Sequence, residues 1–234
     1  MEQNKNCEIL YKTQIAEIKQ EILKGDIKES YFSGPSIYFS KESLKCCQCE
    51  KEFLGERHIE MIYATLVAWG MHRMGEGGAK MPNFDDFKIS ILRNRQQFEN
   101  LKSVKIENVK NWEVKDIIEN MMTLIFEEGG INASTTESKI VSGTKVLAHI
   151  LPDIVSPIDR NYTATYFKIN KLNKQNQKNL FEIVMNTLWC VYQDKNVLKS
   201  ALIYHQKYAY ISLPKLFDNV IINLIKKQKI SKNA

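Results

Sequence analysis

The residues best suited to chemistry lie between Ser142 and Tyr162, in the stretch SGTKVLAHILPDIVSPIDRNY. A lysine is a nucleophile only as the free amine, so it needs surroundings that strip its proton. A carboxylate close by can then stabilise positive charge that develops during reaction. This stretch supplies both: Lys145 enters a helix behind Gly143 and Thr144, and Asp159 stands two residues after Pro157 at the head of a further helical run. Aspartate is a preferred helix N-cap, because backbone N–H groups hold its oxygens, so Asp159 is expected to be fixed and ionised. Gly143 can take positive φ in a tight interhelical turn and expose N–H groups to a phosphate, with Thr144 and Lys145 beginning the next helix. His149 follows Lys145 by four residues, on the same helix face, and Arg160 adjoins Asp159.

A glycine-bearing hairpin, a lysine at the head of its second helix and a Pro-x-Asp before a later helix together resemble the active-site region of the helix-hairpin-helix DNA glycosylase superfamily. The resemblance is local, confined to residues 138–162. In that superfamily the lysine, where present, attacks the sugar carbon of a damaged nucleotide to form a Schiff base, and the aspartate assists departure of the base. The resemblance implies those roles for Lys145 and Asp159, and an all-α fold that binds DNA through its backbone.

A second group of candidates lies in WGMHRMGEGGAK, residues 69–80. His72 and Arg73 fall at the end of an apolar helix, where the negative end of the helix dipole favours a protonated histidine, and the glycines beside them form a loop able to admit an anion. The loop lacks the G-x4-G-K-[ST] spacing of a nucleotide-phosphate loop and follows a helix instead of a strand. The plainer reading is that both cationic side chains cap the last helical carbonyls. Five cysteines, at 7, 46, 47, 49 and 190, are an odd number and form no disulfide framework. Cys46, Cys49 and His58 have the spacing of half a tetrahedral zinc site, without a second pair to complete it. No metal and no cofactor is expected.

The elements that must position these residues are helical. Apolar residues recur at three to four almost throughout, which predicts an all-α protein: a compact globular bundle of about eight helices, with an irregular segment at 26–55. The run beginning near Glu56 is apolar nearly all round and reads as the central buried helix, Asn83 as the cap of the next, and Gly129-Gly130 as the stop after 111–128. The whole of 1–234 reads as one domain, with lobes at 1–130 and 131–234 as a finer division.

At 44% hydrophobic and 26% charged, the 234-residue chain has a globular composition, which excludes a disordered tail. The longest apolar run, Met61 to Met71, is eleven residues, short of the roughly 18–20 that a bilayer span requires. With no secretory signal at its start, the chain is expected to be cytoplasmic. The net charge of +6 is unevenly spread: residues 168–234 hold twelve lysines against Glu182, Asp194 and Asp218, leaving the rest of the chain slightly acidic. Lysines facing phosphates release counterions, so a basic C-terminal region suits DNA backbone contacts.

The most concrete expectation is therefore a DNA-binding protein of glycosylase-like architecture with base-excision or lyase chemistry. Lys145 and Asp159 would be its catalytic pair, and Gly143, Thr144, His149, Arg160, His72 and Arg73 its nucleic-acid or ligand contacts. Two alternatives remain: a non-catalytic helical adaptor in which these residues are caps and surface groups, or an enzyme acting on a small anionic ligand through His72 and Arg73. One geometric condition separates them, that the Lys145 amine and the Asp159 carboxylate share an open cleft.

Overall fold

Helical periodicity decides the architecture. The computed structural model describes residues 2–27, 35–72, 74–75, 78–169, 171–208 and 211–233, and among these the chain is all-α. Ten helices follow in order: α1 (Glu2–Lys24), α2 (Pro35–Gln48), α3 (Glu56–Ala68), α4 (Phe84–Arg93), α5 (Arg95–Leu101), α6 (Asn111–Phe126), α7 (Lys139–Ile150), α8 (Lys174–Tyr192), α9 (Lys195–Lys207) and α10 (Leu213–Asn233). A two-residue antiparallel pairing, Met74–Gly75 with Gly78–Ala79, closes the loop after α3. No helix among the described residues is long and apolar enough to cross a membrane.

One continuous cluster of buried side chains runs from Ile18 in α1 to Ile225 in α10, through Ile59 and Leu66 of α3, Phe87 of α4, Leu147 and Ile150 of α7 and Phe181 of α8. The most enclosed helix is α7, in which every residue from Ser142 to Leu147 is buried. Helix α3, read from its sequence as the central one, buries one face only, through His58, Ile59, Ile62, Thr65 and Leu66. Local signals place several boundaries well. The Asn83 side chain accepts the Asp86 N–H at 2.8 Å, and Gly129 takes a φ of +82° after α6, a left-handed conformation that glycine adopts without a Cβ clash.

Two expectations are corrected. The segment read as irregular contains a helix: residues 35–48 form α2, which packs on α3 and α7 and buries Cys46 and Cys47. Residues 28–34 lie outside the described residues. Gly143 is also not in a turn. Helix α7 begins four residues earlier, at Lys139, and its start is capped from α8, where the buried Gln177 side chain accepts the Ile140 N–H at 3.0 Å. Inside a helix the Gly143 N–H has no phosphate to meet.

What Gly143 does is allow α6 and α7 to approach, since a Cβ built there would lie 2.9 Å from Ile125 Cγ2. Isoleucine is stiff at χ1, so the contact cannot be relieved by a rotamer change. Gly143→Ala gains about 1 kcal/mol of helix propensity and loses about 1–3 kcal/mol to overpacking. A net loss is expected, read as a lower thermal midpoint, by about 2–4 °C for each kcal/mol in a domain of this size.

Candidate functional site

The site is built where three parts of the chain meet: α7, the extended segment after it, and the first turns of α10. Helix α7 ends at Ile150, a turn follows, and residues 155–159 run back alongside the helix with Val155, Ser156, Pro157 and Ile158 buried. One side chain ties this segment down. The buried Thr144 hydroxyl donates to the Ile140 carbonyl at 2.7 Å and accepts the Ile158 N–H at 3.0 Å. Thr144 is therefore a structural tether and not a ligand contact.

The residues on either side of that tether are the expected pair. Asp159 heads a π-helical turn, Arg160–Ala164, and caps it: Oδ1 accepts the Asn161 N–H at 2.7 Å, while the Asp159 N–H donates to Thr163 Oγ1 at 3.1 Å. Held at both ends, Asp159 turns Oδ2 toward Lys145 Nζ, 3.8 Å away. That separation is an ion-pair contact and too long for a hydrogen bond. The other neighbours of the amine are soft or aromatic: Met71 Sδ at 4.0 Å and the Trp69 ring at 5.5 Å. Burial lowers the pKa of Lys145 below that of an ordinary lysine. Asp159 and Asp218 oppose the shift, and the nearby cation Lys215 adds to it. Desolvation disfavours the charged form, which is how an enzyme obtains a free amine near neutral pH.

A second ion pair, which the sequence gave no reason to single out, faces the first. Lys215 Nζ lies 2.6 Å from Asp218 Oδ2 on α10, and 5.8 Å from the Trp69 ring. Asp218 is buried, and burial raises its pKa. The two pairs and Trp69, with Tyr162 beside them, line an open cleft of about 260 Å³. Its rim is basic. The amines of Lys226 and Lys229 lie 6.0 and 5.7 Å from the Tyr162 ring, and Arg160 is exposed next to Asp159.

The remaining candidates separate from this cleft. His149 is buried against the Trp69 ring; its Nδ1–H donates to the Lys145 carbonyl at 2.7 Å, so Nε2 accepts from the Ser40 hydroxyl at 3.0 Å. Burial pushes its pKa down to about 4, so at neutral pH it carries no charge and makes no phosphate contact. His58 is likewise buried and neutral, accepting the Leu54 N–H and donating to the His149 carbonyl. With both ring nitrogens committed it is not available as a metal ligand beside Cys46 and Cys49, and the described residues contain no group of His, Cys, Asp and Glu able to hold a metal ion. His72 is exposed and donates from Nδ1 to the Val67 carbonyl at 2.9 Å, the capping role, while Arg73 lies outside the described residues.

Comparison of the chain with protein-family models, curated proteins and solved structures gives no match. The functional reading rests on the geometry above.

Two outcomes follow. Thr144→Val keeps the shape but leaves the buried Ile158 N–H without a partner, a loss of about 1–3 kcal/mol of stability; Thr144→Ser, which keeps the hydroxyl, should lose distinctly less in the same denaturant titration. The amine of Lys145 should also lose its proton at lower pH than the exposed lysines. NMR of 13Cε-labelled lysine would show this as one early-titrating resonance, missing in Lys145→Gln. In Asp159→Asn the resonance should titrate earlier still, because the carboxylate that favours the ammonium is gone. A Lys145 resonance that titrates with the bulk would contradict the described environment.

Proposed function

We propose that the protein is a DNA glycosylase or lyase that forms a Schiff base through Lys145. The observation that carries this reading is the Lys145–Asp159 pair, 3.8 Å apart on the wall of an open cleft, with the lysine desolvated and its pKa lowered. An adaptor has no use for a buried amine held beside a capped carboxylate. A surface lysine, the plainer reading of Lys145, is incompatible with an 11% exposed side chain.

The chemistry runs as follows. The free Lys145 amine adds to C1′ of the nucleotide. The C1′–N bond to the base breaks, its electron pair leaving on the base, which takes up a proton. The positive charge that builds on the sugar ring during this step is offset by the ionised Asp159 carboxylate, whose position is set before substrate arrives. The nitrogen gives up one proton, the C1′–O4′ bond then breaks with its electron pair on O4′, and the second proton of the nitrogen passes to O4′, leaving a hydroxyl there and an imine between Lys145 and the sugar. DNA is the favoured substrate because the rim carries Arg160, Lys226 and Lys229, cations placed to meet phosphates, beside an aromatic ring, Tyr162, able to stack on a base.

Borohydride reduces an imine to a stable amine, so the direct test is trapping on duplex DNA that contains an abasic site. Wild-type protein should form a covalent adduct, Lys145→Gln none. Asp159→Asn retains an amide oxygen able to cap Asn161, and should keep its fold while the rate of base release drops by about 100-fold or more, the usual scale for loss of a charge-stabilising group. Absence of any adduct from folded wild-type protein would remove the proposal.

A further inference from the structure

Behind Trp69 the cleft adjoins a second, more enclosed chamber of about 120 Å³ that shares Trp69, Pro157 and Lys215 with it. The chamber lies along the start of α10. Ser212, Lys215 and Asn219, spaced at i, i+3 and i+7, line it from one helix face. Ser212 caps the helix: its Oγ accepts the Lys215 N–H at 3.3 Å and its carbonyl the Leu216 N–H at 2.9 Å. The positive end of the α10 dipole therefore stands at the chamber wall.

A helix start alone selects no ligand, but here a buried donor accompanies it. Asn219 is 1% exposed and lines the chamber, and its Nδ2 has no hydrogen-bond partner. Leaving such a donor unmet is costly, so the group that belongs opposite it is an acceptor. Lys215 brings three N–H donors and spends one on Asp218, and the Ser212 hydroxyl, whose oxygen accepts, still has its proton to give. The other polar residues of the wall, Ser40 and His149, are bonded to each other at 3.0 Å. The rest is mostly apolar, with Ile37, Leu44, Ala148 and Ile211.

A dry apolar cavity of about 150 Å³ takes benzene, so this chamber suits a molecule of roughly six non-hydrogen atoms. Convergent donors beside one cation call for a group that only accepts hydrogen bonds and carries a single negative charge, which describes a carboxylate. Phosphate fits poorly, because it brings more charge than one shared ammonium meets and no apolar body for the remaining wall. We infer that the chamber binds a short aliphatic carboxylate, its oxygens on Asn219 Nδ2, Ser212 Oγ and Lys215 Nζ and its chain against Ile37 and Leu44. The site goes beyond the Schiff-base reading and does not depend on it, since neither DNA nor a reaction at Lys145 enters. Two carboxylates then face one ammonium. A proton on Asp218 restores the balance, and burial already favours that form; the charged groups around Asp218 are Lys215, Lys145 and Asp159.

The probes are butyrate, its uncharged isostere butyramide, and inorganic phosphate, each titrated calorimetrically into the intact chain without DNA. Butyrate should bind at least tenfold more tightly than either of the others, the scale of a hydrogen bond to a charged group. Its heat of binding should vary with the ionisation enthalpy of the buffer, the mark of a proton taken up, and that of butyramide should not. Asn219→Leu should weaken butyrate binding by about tenfold without a fall in thermal midpoint, because the lost Nδ2 has no partner to abandon. Lys215→Met should abolish binding. That variant strands the buried Asp218 carboxylate, so Asn219→Leu, which leaves the ion pair intact, decides the matter if Lys215→Met does not fold. No butyrate binding, equal binding of butyramide or phosphate, a heat indifferent to buffer, or an affinity unchanged in Asn219→Leu would overturn the inference.

Discussion

A single hydroxyl sets the geometry of the site. Thr144 bonds the Ile140 carbonyl within its own helix and the Ile158 N–H in the returning segment. Its neighbour in the chain is Lys145, and the neighbour of Ile158 is Asp159, so one buried bridge fixes both partners of the pair at once. Hydroxyls suit this role because one group both donates and accepts. The net worth of each bond is only about 1 kcal/mol, yet leaving the Ile158 N–H unmet in the interior would cost more than forming the bond gains. That asymmetry makes the register of the two segments hard to slip.

Around this fixed point four charged groups alternate beside one indole. The two pairs are not equivalent. Lys215 and Asp218 are in close contact at 2.6 Å and largely satisfy each other, whereas Lys145 and Asp159 stand 3.8 Å apart, with the aspartate's other oxygen occupied by a backbone N–H. The looser pair leaves its amine facing the cleft, with sulfur and aromatic carbon as its other close neighbours. A second cation nearby makes the ammonium form of Lys145 less favourable, one of the two ways known to obtain a nucleophilic lysine; the other, burial, operates here too. Attraction to Asp159 and Asp218 limits the shift, and the net direction is downward.

Rigidity comes from the packing behind the site. Helix α7 is enclosed along most of its length, Gly143 lets it lie close against α6, and two neutral histidines, His149 and His58, carry a chain of hydrogen bonds from Ser40 to Leu54 beneath it. A side chain carried on such an element, as Lys145 is, keeps its position better than one on a loop. An all-α fold alone would imply none of this chemistry, since function belongs to the site and not to the architecture.

The sequence by itself determined what is local. A repeat of three to four apolar residues specifies helix wherever it occurs, and the caps at Asn83 and Asp159 are legible because the bonding partners lie two or three residues away. The candidate pair could also be named from Lys145 and the Pro-x-Asp that follows. Tertiary structure alone decided that Gly143 packs between helices instead of turning the chain, that 35–48 folds as a helix against α3 and α7, that His149 is a buried neutral link, and that Lys215 and Asp218 join the site from α10. The physical reason is distance along the chain. Trp69, Lys145 and Lys215 are about seventy residues apart in succession, and no local pattern states which faces will meet; that is settled only when each helix buries its apolar side against the others.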